Sequence, residues 1–151
     1  MSGRNAVDAG ADCVLFHIEA CSDPAKALQK ITKAGCDAGL CINPGTDPST
    51  LTRYLDDCKL VNVMTIHPQL SGVVDDEGVT NLKEVSKRAV DRCGDLLVQA
   101  DGAVSVQTRN LLIEAGAGSL VAGYPIFSSD NYQKAVAEIR GLSINQMNGP
   151  S

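Results

Sequence analysis

The sequence predicts an α/β protein with a parallel sheet, built from five consecutive βα units. Two observations carry this. A turn signature recurs before short apolar runs: Ala9-Gly10-Ala11-Asp12, Ala34-Gly35-Cys36-Asp37 and Ala115-Gly116-Ala117-Gly118. Glycine at that place is where helices tend to end. Between the apolar runs lie segments with helical stripes, so strands alternate with helices, the pattern of a parallel sheet covered by helices. From pattern alone a five-stranded open, doubly wound sheet closes its topology at about this length.

The elements follow in order. Strands are predicted at Cys13–Ile18, Ala38–Ile42, Lys59–Ile66, Asp95–Ala100 and Ser119–Ala122. Asp23-Pro24 opens a helix over Ala25–Ala34, with proline at the first turn and Ala27, Leu28 and Ile31 on one stripe. Thr46-Asp47-Pro48 opens a second over Ser49–Cys58. Two more are expected over Asn81–Arg92 and Val106–Ala115. The last runs Ser129–Gly141, with Ser128 or Ser129 as N-cap. One domain over 1–142 and a polar tail over 143–151 are expected.

Bulk properties narrow the function. The 151 residues are 44% hydrophobic and 21% charged, with net charge −5 and a pI near 4.9. This composition fits a globular protein with its own core and argues against nucleic acid or an anionic membrane as partner. It leaves room for a phosphate ligand, because backbone amides bind phosphate without excess lysine or arginine. The amino-terminal MSGRNAVDAGAD has no apolar h-region and no run long enough to span a bilayer, so a cytoplasmic protein is expected. Cys13, Cys21, Cys36, Cys41, Cys58 and Cys93 form no C-x-x-C pair. They are expected to be small buried hydrophobes in a reducing compartment.

The strand ends are chemically asymmetric. Their carboxyl ends read His17-Ile18-Glu19-Ala20, Asn43-Pro44-Gly45, Met64-Thr65-Ile66-His67-Pro68, Asp101-Gly102-Ala103 and Ala122-Gly123-Tyr124-Pro125, while their amino ends are apolar. Ligands of parallel sheets bind at the carboxyl ends. Alternation places Gln99 and Asp101 on one strand face, Val98 and Ala100 on the other. Asp101 is thus a candidate for chemistry; the alternative is an aspartate capping the next helix. His17 and Glu19 share a face and are either a structural pair or accessory site residues.

Five motifs, Phe16-His17-Ile18-Glu19-Ala20, Ala38–Thr46, Val63-Met64-Thr65-Ile66-x-Pro68, Asp101-Gly102 and Val121-Ala122-Gly123-x-x-Ile126-Phe127, come in the order and approximate spacing of ribulose-5-phosphate 3-epimerases. The chain resembles that family over about residues 8 to 140. The resemblance implies a (β/α)₈ TIM barrel, here incomplete, with the family's last five βα units present and its first three without counterpart. A fragment, a barrel completed by a partner, and an open five-unit sheet all fit; unclosed edges favour association, including a homo-oligomer.

The resemblance also implies chemistry. The family interconverts D-ribulose 5-phosphate and D-xylulose 5-phosphate through an enediolate, using a divalent metal (zinc, iron(II), manganese or cobalt) held by two histidines and two aspartates. Asp101 matches one of those aspartates, as acid/base and metal ligand; the other ligands lie in the absent units. Met64 matches a methionine that shields the reacting carbon, with plain core packing as its alternative. The phosphate site maps onto Gly72, Gly102, Ala103, Gly123 and Tyr124. Ala103 stands where the family has glycine, and Tyr124 where it has serine. The family's loop Asn-Pro-Gly-Phe-Gly-Gly-Gln reads His67-Pro68-Gln69-Leu70-Ser71-Gly72-Val73. His67 is new relative to the family: an accessory ligand or phosphate contact, or a loop histidine without a role. The readings are a sugar-phosphate epimerase, a non-catalytic relative binding a phosphorylated ligand or a protein, and a nucleotide-binding sheet. The last is weakest, since no G-x-G-x-x-G or P-loop follows a strand.

Overall fold

The computed structural model describes residues 3–66, 72–92 and 95–142. The elements are α1 (Gly3–Asp8), β1 (Cys13–His17), α2 (Pro24–Lys33), β2 (Asp37–Ile42), β3 (Leu60–Met64), α3 (Asp76–Arg92), β4 (Leu97–Asp101), α4 (Arg109–Glu114), β5 (Ser119–Val121), α5 (Tyr124–Phe127) and α6 (Tyr132–Arg140). Short 3-10 helices lie at Ile18–Ala20, Pro48–Leu51 and Leu55–Asp57. All strand pairs are parallel and the order is β1-β2-β3-β4-β5.

That order overturns the doubly wound expectation. A doubly wound sheet reverses its strand order once and so places helices on both faces. Five strands in sequential order, joined by right-handed crossovers, stack their helices on one face, which is a segment of barrel wall. Burial agrees. On the helix-covered outer face Leu40, Ile42, Val61, Val63 and Ala100 are fully buried, against Leu28, Leu51, Leu55, Leu82 and Leu112. On the inner face Leu97 and Val121 keep 40% and 37% of their surface exposed. A groove of about 920 Å³ runs along the free edge of β1, lined by Val14, Leu15, Phe16 and Ile31. It marks where the wall is not closed. Among the described residues, no helix is long and apolar enough to cross a membrane.

Local chemistry explains most boundaries. Asp23 accepts the Lys26 N–H at 3.1 Å ahead of Pro24, which starts α2 as expected. Gly35 ends α2 at φ +84°, left-handed backbone that glycine adopts without strain.

Four helices differ from expectation. The segment 49–58 is not an α-helix: Thr50, Thr52, Tyr54, Asp57 and Cys58 donate to carbonyls three residues back, and the Asp47 carboxylate and Thr50 hydroxyl tighten its start. α3 begins at Asp76 rather than Asn81, because Asp75 caps the N–H groups of Glu77 and Gly78. Gly78, the residue that hides this start in the sequence, has no room for a side chain: a β carbon would lie 2.7 Å from the Met64 carbonyl oxygen. α4 begins at Arg109 rather than Val106, after Ser105 and Thr108 bond each other through side chain and backbone. α6 begins at Tyr132, capped by Asn131 onto the Lys134 N–H at 2.9 Å, not by Ser128 or Ser129. The short α5 was not expected.

Cys36, Cys41 and Cys58 are buried and Cys21 is half-buried, but Cys13 is exposed, because it opens the edge strand. Cys93, His67 and the tail 143–151 lie outside the described residues.

Candidate active site

Strand register builds the site. Paired residues of parallel strands point to the same face. The register therefore aligns His17, Cys41, Asn62, Gln99 and Ser119 as one row across the inner face. Toward the carboxyl end, Met64, Asp101 and Val121 form the next row. Asp101 thus closes β4 on the inner face, as alternation predicts, with Met64 beside it.

Asp101 is half-buried, and that burial raises its carboxyl pKa; the Asn62 amide and the charge of His17 oppose the shift. Asn62 is 4% exposed, inside the otherwise apolar run of β3. Its Nδ2 lies 3.5 Å from the Met64 sulfur, and its Oδ1 has no hydrogen-bond partner among the described residues. A buried acceptor left open beside a half-buried carboxylate suits a ligand hydroxyl. The Gln99 amide donates to the Ser119 hydroxyl at 3.0 Å and extends the polar row. Burial raises the Cys41 thiol to about 11, so it is an inert thiol at neutral pH.

The turn after Asp101 has unusual backbone. Gly102 has φ +112° and Ala103 has φ +51°. Ala103 is the one non-glycine residue with positive φ among the described residues. A β carbon on Gly102 would lie 2.3 Å from Ile66 Cγ2, so the turn packs directly on the residue that follows Thr65. Thr65, fully buried, donates its N–H to the Asp101 carbonyl at 2.7 Å and its hydroxyl to the Gly102 carbonyl at 2.7 Å.

Gly123 and Tyr124 follow β5, the hydrogen-bonded neighbour of β4, so their turn stands beside Gly102–Ala103. Gly123 caps α5 through its carbonyl, and Tyr124 is 85% exposed. Gly72, at φ +81°, borders the undescribed 67–71.

His17 and Glu19 are close, but not by strand alternation. β1 ends at His17 and a 3-10 turn carries Glu19, whose Oε2 lies 3.3 Å from His17 Nδ1. Glu19 Oε1 accepts the Asn43 N–H at 2.8 Å and the Thr46 hydroxyl. Burial would raise its pKa, yet these donors hold it below the ordinary value. Asn81 on α3 donates onward to the carbonyls of Pro44 and Thr46, at 2.6 and 3.1 Å. The pair is therefore a tie between strand ends, two strands removed from β4. Sequence reasoning missed Asn62, Thr65, Asn81 and Thr108. A polar residue inside the apolar run Leu60–Met64 was the available signal for Asn62.

The family's metal does not fit this chain alone. Asp101 is one carboxylate, and among the described residues no group of three or more His, Cys, Asp or Glu could hold a metal ion. Protein sites of such metals assemble three or four ligands.

The sequence model of the ribulose-phosphate 3 epimerase family matches residues 4–127. The chain belongs to this family. It is 40% identical over 136 residues to ribulose-phosphate 3-epimerase of Bacillus subtilis (strain 168), covering 88% of this chain and 62% of that protein. It is 34% identical over 133 residues to the Escherichia coli (strain K12) ribulose-phosphate 3-epimerase, covering 87% of this chain and 59% of the relative. The chain thus spans about three fifths of the length of these epimerases. Among solved structures it resembles 3-keto-L-gulonate-6-phosphate decarboxylase from Vibrio cholerae, with TM-score 0.72 at 14% identity, over 98% of this chain and 67% of that one. That likeness concerns the fold: a parallel sheet of five βα units with the architecture of TIM-barrel enzymes.

Proposed function

We propose that this chain supplies one half of a ribulose-phosphate 3-epimerase site, acting on D-ribulose 5-phosphate in pentose phosphate metabolism. The observation that carries the reading is Asp101: a half-buried carboxylate with raised pKa, at the carboxyl end of β4, on the inner face, beside a turn of positive-φ backbone. A carboxylate there can take the proton from the carbon next to the ketone. The C–H electron pair passes into the enediolate, and an acid on the opposite face returns a proton and inverts the centre. Asp101 is one of the two groups this needs; the second comes from residues outside this chain. Met64, beside Asp101, shields the reacting carbon. The turns at Gly102–Ala103 and Gly123–Tyr124, with Gly72 at the neighbouring loop, take the phosphate through backbone N–H groups. Divalent-metal binding belongs to the same assembled site and needs ligands beyond Asp101. The protein works as a cytoplasmic enzyme in this reading, and its free strand edges drive association with a complementary partner or with further copies.

The test is an epimerase assay of the purified chain with D-ribulose 5-phosphate and added zinc, manganese or iron(II). The assay is repeated after mixing with a separately expressed piece carrying the first three βα units of a family member. Activity is expected only in the mixture, because loss of one proton-transfer group alone removes roughly 10²–10⁴ in rate. Family-level turnover by the chain alone would refute the half-site reading. Saturable binding of ribulose 5-phosphate with no turnover even in the mixture would identify a non-catalytic relative instead.

A further inference from the structure

We infer that Thr65 and Thr108 are positioning residues for the phosphate-binding turn: their hydroxyls tie back the carbonyls of Asp101, Gly102 and Ala103, leaving the N–H side of the turn to the anion. This rests on the phosphate reading of the Gly102–Ala103 turn given above.

Three consecutive carbonyls are held by two threonines. The Thr65 hydroxyl donates to the Gly102 carbonyl at 2.7 Å and lies 3.2 Å from that of Asp101, which also accepts the Thr65 N–H. The Thr108 hydroxyl donates to the Ala103 carbonyl at 2.7 Å and accepts the Ser105 N–H at 2.9 Å. The Thr65 bonds span thirty-six and thirty-seven residues and are tertiary ties, whereas the Thr108 bond to Ala103 spans five and is local to the turn. A carbonyl oxygen turned toward an anion repels it, whereas successive N–H groups on one side of a turn attract it. Holding the carbonyls fixed selects the second arrangement. It also accounts for Ala103 staying at φ +51° without a glycine's freedom, since surrounding bonds over-determine the backbone.

Thr65 reaches further than the turn. Its own carbonyl accepts the Asp75 N–H at 2.9 Å, and Asp75 in turn caps α3. Asp75 is thus bonded back to Thr65, and Gly102 packs on Ile66. Thr65 therefore sets the β4 turn, one of the places where the phosphate reading puts its contacts, against Ile66 and Asp75.

The experiment titrates inorganic phosphate into the wild-type chain and into Thr65→Val, Thr65→Ser and Thr108→Val, following the amide signals of Ala103 and Val104 in ¹H–¹⁵N spectra. Thermal midpoints are recorded alongside. Wild type and Thr65→Ser are expected to show the same saturable shift. The two valine variants, isosteric but lacking the donor, are expected to bind roughly tenfold more weakly or worse. A lowered midpoint with unchanged phosphate affinity would make the threonines merely structural and overturn the inference. Where Thr65→Val does not fold, Thr108→Val decides by the same criterion. Absence of any saturable shift in wild type overturns the phosphate reading itself, and this inference with it. Binding in wild type that survives both valine changes overturns the inference alone.

Discussion

Replacing Gly102 with alanine tests the turn that the site depends on. Gly102 sits at φ +112°, where an L side chain is strained, and that strain costs about 1–3 kcal/mol. The new β carbon would also meet Ile66 at 2.3 Å from Cγ2, 2.8 Å from Cβ and 3.0 Å from the backbone nitrogen. The Cγ2 contact can be relieved by side-chain rotation; the Cβ and backbone contacts cannot, because the adjoining Thr65 N–H is bonded to the Asp101 carbonyl. Overpacking of this kind adds about 1–3 kcal/mol. The sum is about 2–6 kcal/mol, or roughly 4–24 °C in the thermal midpoint of a chain this size. The neighbouring change Ala103→Gly carries the opposite sign. Alanine in left-handed backbone costs about 1–2 kcal/mol, partly offset by the greater freedom glycine has in the unfolded chain. That variant is expected to be neutral to about 1 kcal/mol more stable. Urea unfolding followed by far-ultraviolet circular dichroism measures both. A Gly102→Ala midpoint indistinguishable from wild type, or an Ala103→Gly chain destabilised by more than about 1 kcal/mol, would refute the account of this turn.

Two carboxylates should give opposite pH signatures. Burial raises the Asp101 pKa, so its ionised form costs stability above that raised value and the cost vanishes below the ordinary carboxylate range. Asp101→Asn is therefore expected to be more stable than wild type near neutrality, with the gap closing on acidification; a gap that widens in acid counts against the burial argument. Glu19 is held below its ordinary pKa by its donors, so its contribution is present above that value and fades as pH falls through the lowered one. Glu19→Gln should be less stable than wild type at neutral pH and converge with it in acid, as read from urea midpoints across the range. Removing the Asn131 cap with alanine should cost about 1 kcal/mol and Asn131→Asp should restore it; equal melting of all three chains would show that α6 does not need this cap.

Much of the fold was legible because its signals are local. The Ala-Gly endings, the Asp23-Pro24 start of α2 and the apolar strand centres each depend on a few adjacent residues, and each stands where the sequence puts it. Alternation alone placed Gln99 and Asp101 together and away from Val98 and Ala100. The five motifs in order pointed to the barrel family, which periodicity could not do. Helix boundaries failed where side chains bond the backbone over short range, as at Asp47, Asp75 and the Ser105–Thr108 turn, since such bonds compete with the helical pattern instead of extending it.

Strand order was decided by the tertiary structure. A βα unit carries no record in its own residues of which edge the next strand joins, so doubly wound and sequential sheets share one periodicity, and only the assembled register separates them. The same holds for the supports of the site. Thr65 meets Gly102 across thirty-seven residues and Asn81 meets Pro44 across the same separation. Ala103 keeps a conformation its own side chain disfavours. Local sequence specifies which groups are available at each strand end; which of them touch depends on register and crossover, which exist only once the sheet has formed.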